Sequence, residues 1–383
     1  MAAGTRLSEL TDDILPAGAL DRLVFNFLGY PIQQNTYAHI LNVLGVGGYR
    51  DQDSGEARLV DYGDRHFTCF QFDYDWRRDI VENAGVLEQF IAEKKRYVQK
   101  EIEKRFGIQN LDVKFDIVAH SMGGLIARYY LRYGSQDLPA DGSLPVLNWE
   151  GSRHVQHLVM IGTPNMGSID SMVNLVNGYQ PAPLLTDYPP AVLGTMPSLY
   201  ELLPRNRHHP VKDFDGNPVL DIFDIKTWQR YGWGLADPKQ ARALKWLLPG
   251  ESRPEERQLI ALDHLEKSLK RAKQFMAALD LQAKSPPALR YLLVAGDSED
   301  TPKSAQVMSN GRLRIDETAP GDDVVVRKSA LGDERLAVVP NSRNRLISPI
   351  EWDQVLFLFS DHLGLTKNPA FTDNLLYFLL ESQ

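Results

Sequence analysis

The chain has a single cysteine, Cys69, in 383 residues. One thiol excludes an internal disulfide and a cysteine-based zinc site, and within the run HFTCFQF it reads as a buried, inert group. An excess of basic charge is also lacking. The 42 Lys and Arg stand against 50 Asp and Glu, a net charge of −8, which argues against a nucleic-acid partner. No run approaches the roughly 18 apolar residues of a membrane span. The opening residues MAAGTRLSELTDDILPAG have no apolar stretch behind a basic start, so no signal peptide is legible; as written, the chain reads as cytoplasmic. Glycine and proline are not enriched, and no repeat of fixed period is present, so collagen-like, low-complexity and solenoid architectures are excluded. With 43% hydrophobic and 24% charged residues, the composition is that of a globular chain with a large core.

Short apolar runs alternate with longer helical patterns, the mark of an α/β fold with a mostly parallel sheet. Strands are expected at residues 66–72 (HFTCFQF), 113–118 (VKFDIV), 154–161 (HVQHLVMI), 291–295 (YLLVA) and 355–359 (VLFLF). Helices are expected between the first two, carrying the stripe Val86, Leu87, Phe90, Ile91, Val98 and Ile102, and again near residues 122–132 and 371–380. The third and fourth strands are separated by far more than the dozen or so residues a crossover needs. Residues 165–289 therefore read as an inserted helical cap, with residues 1–164 and 290–383 as the core.

The sharpest signal is FDIVAHSMGGLIARYYLRYG. An apolar strand runs directly into a helix, and Ser121 sits at the turn. This is a nucleophile elbow with Ala119 at the first small position. The strained turn is expected to need small residues two before and two after the serine, which Ala119 and Gly123 supply, and Gly124 lets helix and sheet approach closely. Such a turn exposes the serine hydroxyl and aims the Met122 N–H at a developing oxyanion.

The chain resembles the lecithin:cholesterol acyltransferase family, a branch of the α/β-hydrolases that includes lysosomal phospholipase A2. YDWRRD (residues 74–79), AHSMGG (119–124), IGTPNMGS (161–168) and GDDVVVRKSAL (321–331) carry the likeness, in matching order. The resemblance implies an α/β-hydrolase fold with a large cap, and activity on lipid acyl esters. It also implies that Asp75 and Arg77 support the floor of the site, with Trp76 in its wall.

Serine hydrolases of this fold place their triad in the order Ser, acid, His. His362 follows the last expected strand and precedes the closing helix, where a base can reach the elbow, and it matches the family's late histidine. For the acid the residues leave two clusters, Asp297/Glu299/Asp300 in GDSED and Asp322/Asp323 in GDD. A generic hydrolase favours the first; the family resemblance falls on Asp322, with Asp323 as its neighbour. The implied chemistry is attack of Ser121 on an ester carbonyl, with His362 as base and Asp322 orienting it, and then transfer of the acyl group to water or an alcohol. No step needs a cofactor, and no metal constellation is legible. The partners implied are a lipid or other acyl ester and transient contact with a membrane surface. Leu184, Leu185, Val192, Leu193 and Met196 are expected to line an acyl site under the cap. Two rival readings are a hydrolase of small soluble esters and a catalytically inactive scaffold.

A second oxyanion donor ordinarily comes from a loop after an early strand. No His-Gly pair occurs in residues 1–60, and the one strand-like run there is RLVFNFLG. The expectation is a chain short at its N-terminus, with the Met122 N–H acting alone. A strand at residues 24–27 parallel to residues 66–72 would contradict it.

Overall fold

The computed structural model describes residues 22–27, 30–35, 38–64, 66–180, 187–335 and 346–381. Strands β1 (Arg22–Phe27) and β2 (Tyr30–Asn35) pair antiparallel as a unit of their own. Helices α1 (Ala38–Val46), α2 (Gln52–Glu56) and α3 (Ile80–Phe106) follow. The long α3 has definite stops. The Asp79 carboxylate accepts from the Val81 and Glu82 N–H groups at 2.8 and 3.1 Å, and Gly107 ends the helix at φ +69°, a left-handed conformation suited to glycine. Next come β3 (Phe115–His120), α4 (Gly123–Tyr133) and β4 (Val155–Ile161).

The stretch between β4 and the next strand of its sheet holds α5 (Ile169–Asn177), α6 (Pro190–Leu193), α7 (Pro197–Glu201), the short β5 (Val211–Lys212), α8 (Ile225–Tyr231), α9 (Ala241–Leu247) and α10 (Pro254–Asp280). The chain then runs through β6 (Arg290–Gly296), β7 (Glu299–Val307), β8 (Leu313–Gly321), α11 (Arg327–Leu331), β9 (Gln354–Leu358) and α12 (Pro369–Leu380).

The central sheet has the order β3-β4-β6-β9 and is parallel throughout. Its residues alternate between two layers, as a strand buried on both faces requires. Leu158 and Met160 enter the main core with α3, α4 and α10, whereas Val159 and Ile161 pack on the other face with α1 and α12. The fold is therefore α/β with a mostly parallel central sheet, as the sequence pattern predicts. The helices between β4 and β6 share the main core: Phe275 of α10 stacks on Tyr129 of α4.

One expectation needs correction. Residues 66–72 are not a strand; their one ladder contact is the parallel bridge Asp51–Cys69. The aromatic run is used for packing instead, Phe67 against Tyr97 and Phe72 against Phe90, and the Phe67 N–H donates to the Tyr97 hydroxyl. The β7–β8 hairpin was missed because its inward positions on β7 include the small Thr301, Ser304 and Ala305, which give little hydrophobic alternation. β1 pairs antiparallel with β2 and not parallel to residues 66–72, the arrangement that would have contradicted the expectation of a lone Met122 donor.

Candidate active site

All four central strands point their C-terminal ends the same way, and the connections leaving them meet at one place, where an open parallel sheet presents its binding crevice. Ser121 leaves β3, Gly162 leaves β4, Asp297 leaves β6 and His362 follows β9. Ser121 has φ +52°, an uncommon conformation for a residue with a Cβ, so the strain expected of an elbow is present. Its N–H donates to the Ile161 carbonyl at 2.8 Å, which ties the turn to β4. The Met122 N–H makes no hydrogen bond among the described residues, leaving it available at the start of α4.

The structure brings three of the predicted residues together. His362 Nε2 lies 3.0 Å from Ser121 Oγ, and His362 Nδ1 lies 2.8 Å from Asp322 Oδ2. Asp322 is 1% exposed, and its other oxygen accepts from the Val324 and Val325 N–H groups at 3.1 and 2.7 Å. The competing acids are engaged elsewhere. Asp297 is paired with Arg327 at 2.9 Å, Glu299 and Asp300 are exposed at the start of β7, and Asp323 is exposed at φ +79°.

Two glycines make this geometry sterically possible. A Cβ on Gly162, itself at φ +58°, would stand 2.9 Å from His362 Cε1 and 3.1 Å from Asp322 Oδ2. A Cβ on Gly296 would stand 2.5 Å from Asp322 Cβ. The two elbow glycines differ in the same test. Gly124 needs its smallness, because a Cβ there would collide with Thr163 Oγ1 at 2.1 Å. Gly123 does not, because a Cβ would make only ordinary 3.7 Å contacts with Ala119 Cβ and the Tyr74 hydroxyl. The expectation that Gly123 must be small is thus corrected, and the close approach is carried by the next residue.

GTPNMGS forms a buried knot beside the acid loop. Asn165 donates to the Ala330 carbonyl at 2.8 Å and accepts from Arg128 at 2.9 Å. Ser168 donates to the Val324 carbonyl at 2.8 Å, and Ser329 to the Gly167 carbonyl at 2.7 Å. Burial, with Arg132 and Arg205 nearby, pushes the Arg128 guanidinium down to about 9. Asp170, close by on α5, is held above the usual carboxylate range by burial and by Asp323. The sequence marks the GTPNMGS segment only as part of the family likeness, and its bonds to residues 324–330 are not legible there. The only signal was the co-occurrence of small polar residues in both motifs.

YDWRRD turns out to be a tight structural element that also borders the site. Arg77 Nε donates to Asp75 Oδ1 at 2.8 Å, and the pair holds the Asp75 carboxyl below its usual range. Trp76 is 51% exposed. It lines a cavity of about 920 Å³ that reaches Ser121 and Met122 and runs along the outer edge of β3, walled by Phe72, Phe90, Ile91 and Ile117. Cys69 borders the same cavity; burial and the nearby Asp51 and Asp53 push its thiol up to about 12, in keeping with an inert group. Met196 and Leu193 pack against the main core instead. Leu184 and Leu185 lie outside the described residues.

No group of three or more His, Cys, Asp or Glu residues suited to a metal occurs among the described residues. No described helix is long and apolar enough to cross a membrane.

Residues 57–227 match the family model described as Lecithin:cholesterol acyltransferase, a span that holds the motifs at residues 74–79, 119–124 and 161–168 and supports the resemblance read from them; the motif at residues 321–331 lies beyond it. No curated protein matches the chain. Among solved structures, one titled "The crystal structure of Tle4-Tli4 complex" is similar, with a TM-score of 0.51 and 17% sequence identity, over 81% of this chain and 68% of that one. At that identity the likeness is one of fold.

Proposed function

We propose that this relative of the lecithin:cholesterol acyltransferase family is a serine-dependent acyl-ester hydrolase or O-acyltransferase acting on lipid esters, with Ser121, His362 and Asp322 as its triad. The observation that carries the reading is the unbroken relay from Asp322 through His362 to a strained, elbow-borne Ser121, at 2.8 and 3.0 Å. His362 Nε2 takes the Ser121 proton as Oγ attacks the ester carbonyl. Asp322 keeps the proton on Nδ1, so that Nε2 is the basic nitrogen, and stabilises the imidazolium that forms. The Met122 N–H stabilises the oxyanion. His362 then returns its proton to the departing alcohol, leaving an acyl-enzyme that water or a second alcohol resolves.

The lipid character of the substrate rests on the family match and on the apolar cavity beside Ser121, which is large for a short-chain ester. In this reading residues 165–289 act as a cap over the core, and the enzyme works at a lipid surface. The test is acyl release from dioleoyl phosphatidylcholine vesicles and from p-nitrophenyl acetate, each with and without added octanol. The reading expects fatty acid from the vesicles, and an octyl ester if transfer competes with hydrolysis. Turnover of the soluble acetate with none of the vesicles would contradict the lipid assignment.

A further inference from the structure

The sheet order poses a problem for the relay. β9, which delivers His362, is separated from β3, which delivers Ser121, by β4 and β6. Three inter-strand steps amount to roughly 14 Å, so the loop after β9 must cross the top of the sheet and be fixed at its far end. A loose loop would leave the imidazole without a defined position.

The last residue of β3 supplies the fixing point. His120 Nε2 lies 3.0 Å from the main-chain carbonyl oxygen of His362, and the two rings pack with centroids 4.7 Å apart. A carbonyl can only accept, so Nε2 carries the proton and donates it. We propose that His120 is a positioning residue, whose hydrogen bond to the His362 carbonyl holds the loop after β9 over the nucleophile strand and sets the imidazole against Ser121.

The choice of a histidine has a physical reason. A Lys or Arg here would donate equally well, but would put a fixed positive charge beside the imidazolium that forms on His362. His120 is 8% exposed, and burial together with the neighbouring His362 lowers it to about 4. It therefore donates as a neutral ring at neutral pH. Gly162 completes the seat from the other side, since its missing Cβ leaves room for the His362 ring.

This inference rests on the proposed triad, and the test keeps the two apart. His120→Gln and His120→Met have side chains of equal length, with and without a donor. Each is compared with the wild type in its rate of labelling by a serine-directed fluorophosphonate, in kcat and KM on a soluble ester, and in thermal melting. A misplacement of about 1 Å at a reacting group can cost ~10²-fold. His120→Met is accordingly expected to slow labelling and kcat by ~30- to 100-fold, with KM and melting little changed. His120→Gln is expected to recover labelling to within about fivefold of wild type by restoring the donor. Equal rates for the two variants, slow or fast, would overturn the proposal. If His120→Met does not fold, His120→Phe, which keeps a ring without a donor, takes its place in the same comparison. Absence of labelling in the wild-type chain would instead defeat the assignment of Ser121 itself.

Discussion

The two flanks of Ser121 are built differently. On the β4–β6–β9 side the groups that meet the serine are held by short hydrogen bonds and by glycines cut to fit them: Asp322 by two N–H groups, His362 by Asp322 and His120, and the acid loop by Asn165, Ser168 and Ser329. On the other side β3 is an edge strand among the described residues, and a cavity of about 920 Å³ runs along it between α3 and the aromatic run at residues 66–72. One flank is preorganised and intolerant, as proton transfer demands. The other is roomy and apolar, and in the proposed function it receives the long chains of the substrate. Substitutions on the first should act on kcat, and those on the second on KM.

The largest contrast should come from the acids. Asp322→Asn is expected to lower kcat by about 10⁴-fold, because the amide favours the wrong imidazole tautomer. Asp297→Asn, which breaks only a half-exposed pair with Arg327, should stay within about threefold, as loss of such a pair is worth little. Parallel steady-state assays of the two variants check this, and the reverse ranking would move the acid to the loop after β6. Next in size, Gly162→Ala forces a methyl against His362 and Asp322. A fall of roughly 10²-fold in kcat is expected from the displaced ring, with substrate affinity retained. On the open flank, Trp76→Ala should raise KM by about three- to tenfold, the scale of one lost apolar contact, with kcat within about twofold. A kcat effect there larger than the KM effect would blur the distinction between the flanks.

The smallest expected effect concerns the anchoring of α3, the wall of the open flank. Glu201 of α7 is 2% exposed and accepts from the Ile80 N–H at 2.7 Å, while neighbouring Asp79 is paired with Arg271. Burial, and the charge of Asp79, raise the Glu201 carboxyl well above its usual value. A raised carboxyl favours the folded state while it is protonated, and that contribution is lost as pH climbs through the raised value. Glu201→Gln removes the titration and keeps an acceptor. Its melting temperature should exceed the wild type's by about 1–3 °C at pH 8, with a smaller gap at pH 5. Equal gaps at the two pH values would contradict the linkage.

Much of the closed flank was legible in the sequence, because its signals are local. The elbow is a strand-to-helix switch around one serine, and the late histidine follows the last strand. The choice among acids was not local. GDSED and GDD look alike in one dimension, and only the β7–β8 hairpin between them brings Asp322 back against Gly296. His120 could not be read as a support either, since its partner is a main-chain carbonyl 242 residues away. The open flank was misread as a strand at residues 66–72, because the apolar residues that would face a strand neighbour face α3 and the cavity instead.

The central claim is that Ser121 is the nucleophile, and mass-spectrometric mapping of fluorophosphonate adducts tests it most directly. The wild-type chain should carry a single adduct on the peptide containing Ser121, and Ser121→Ala, melting as the wild type does, should carry none; full labelling of the Ser121→Ala chain, or an adduct on another serine, would contradict the account.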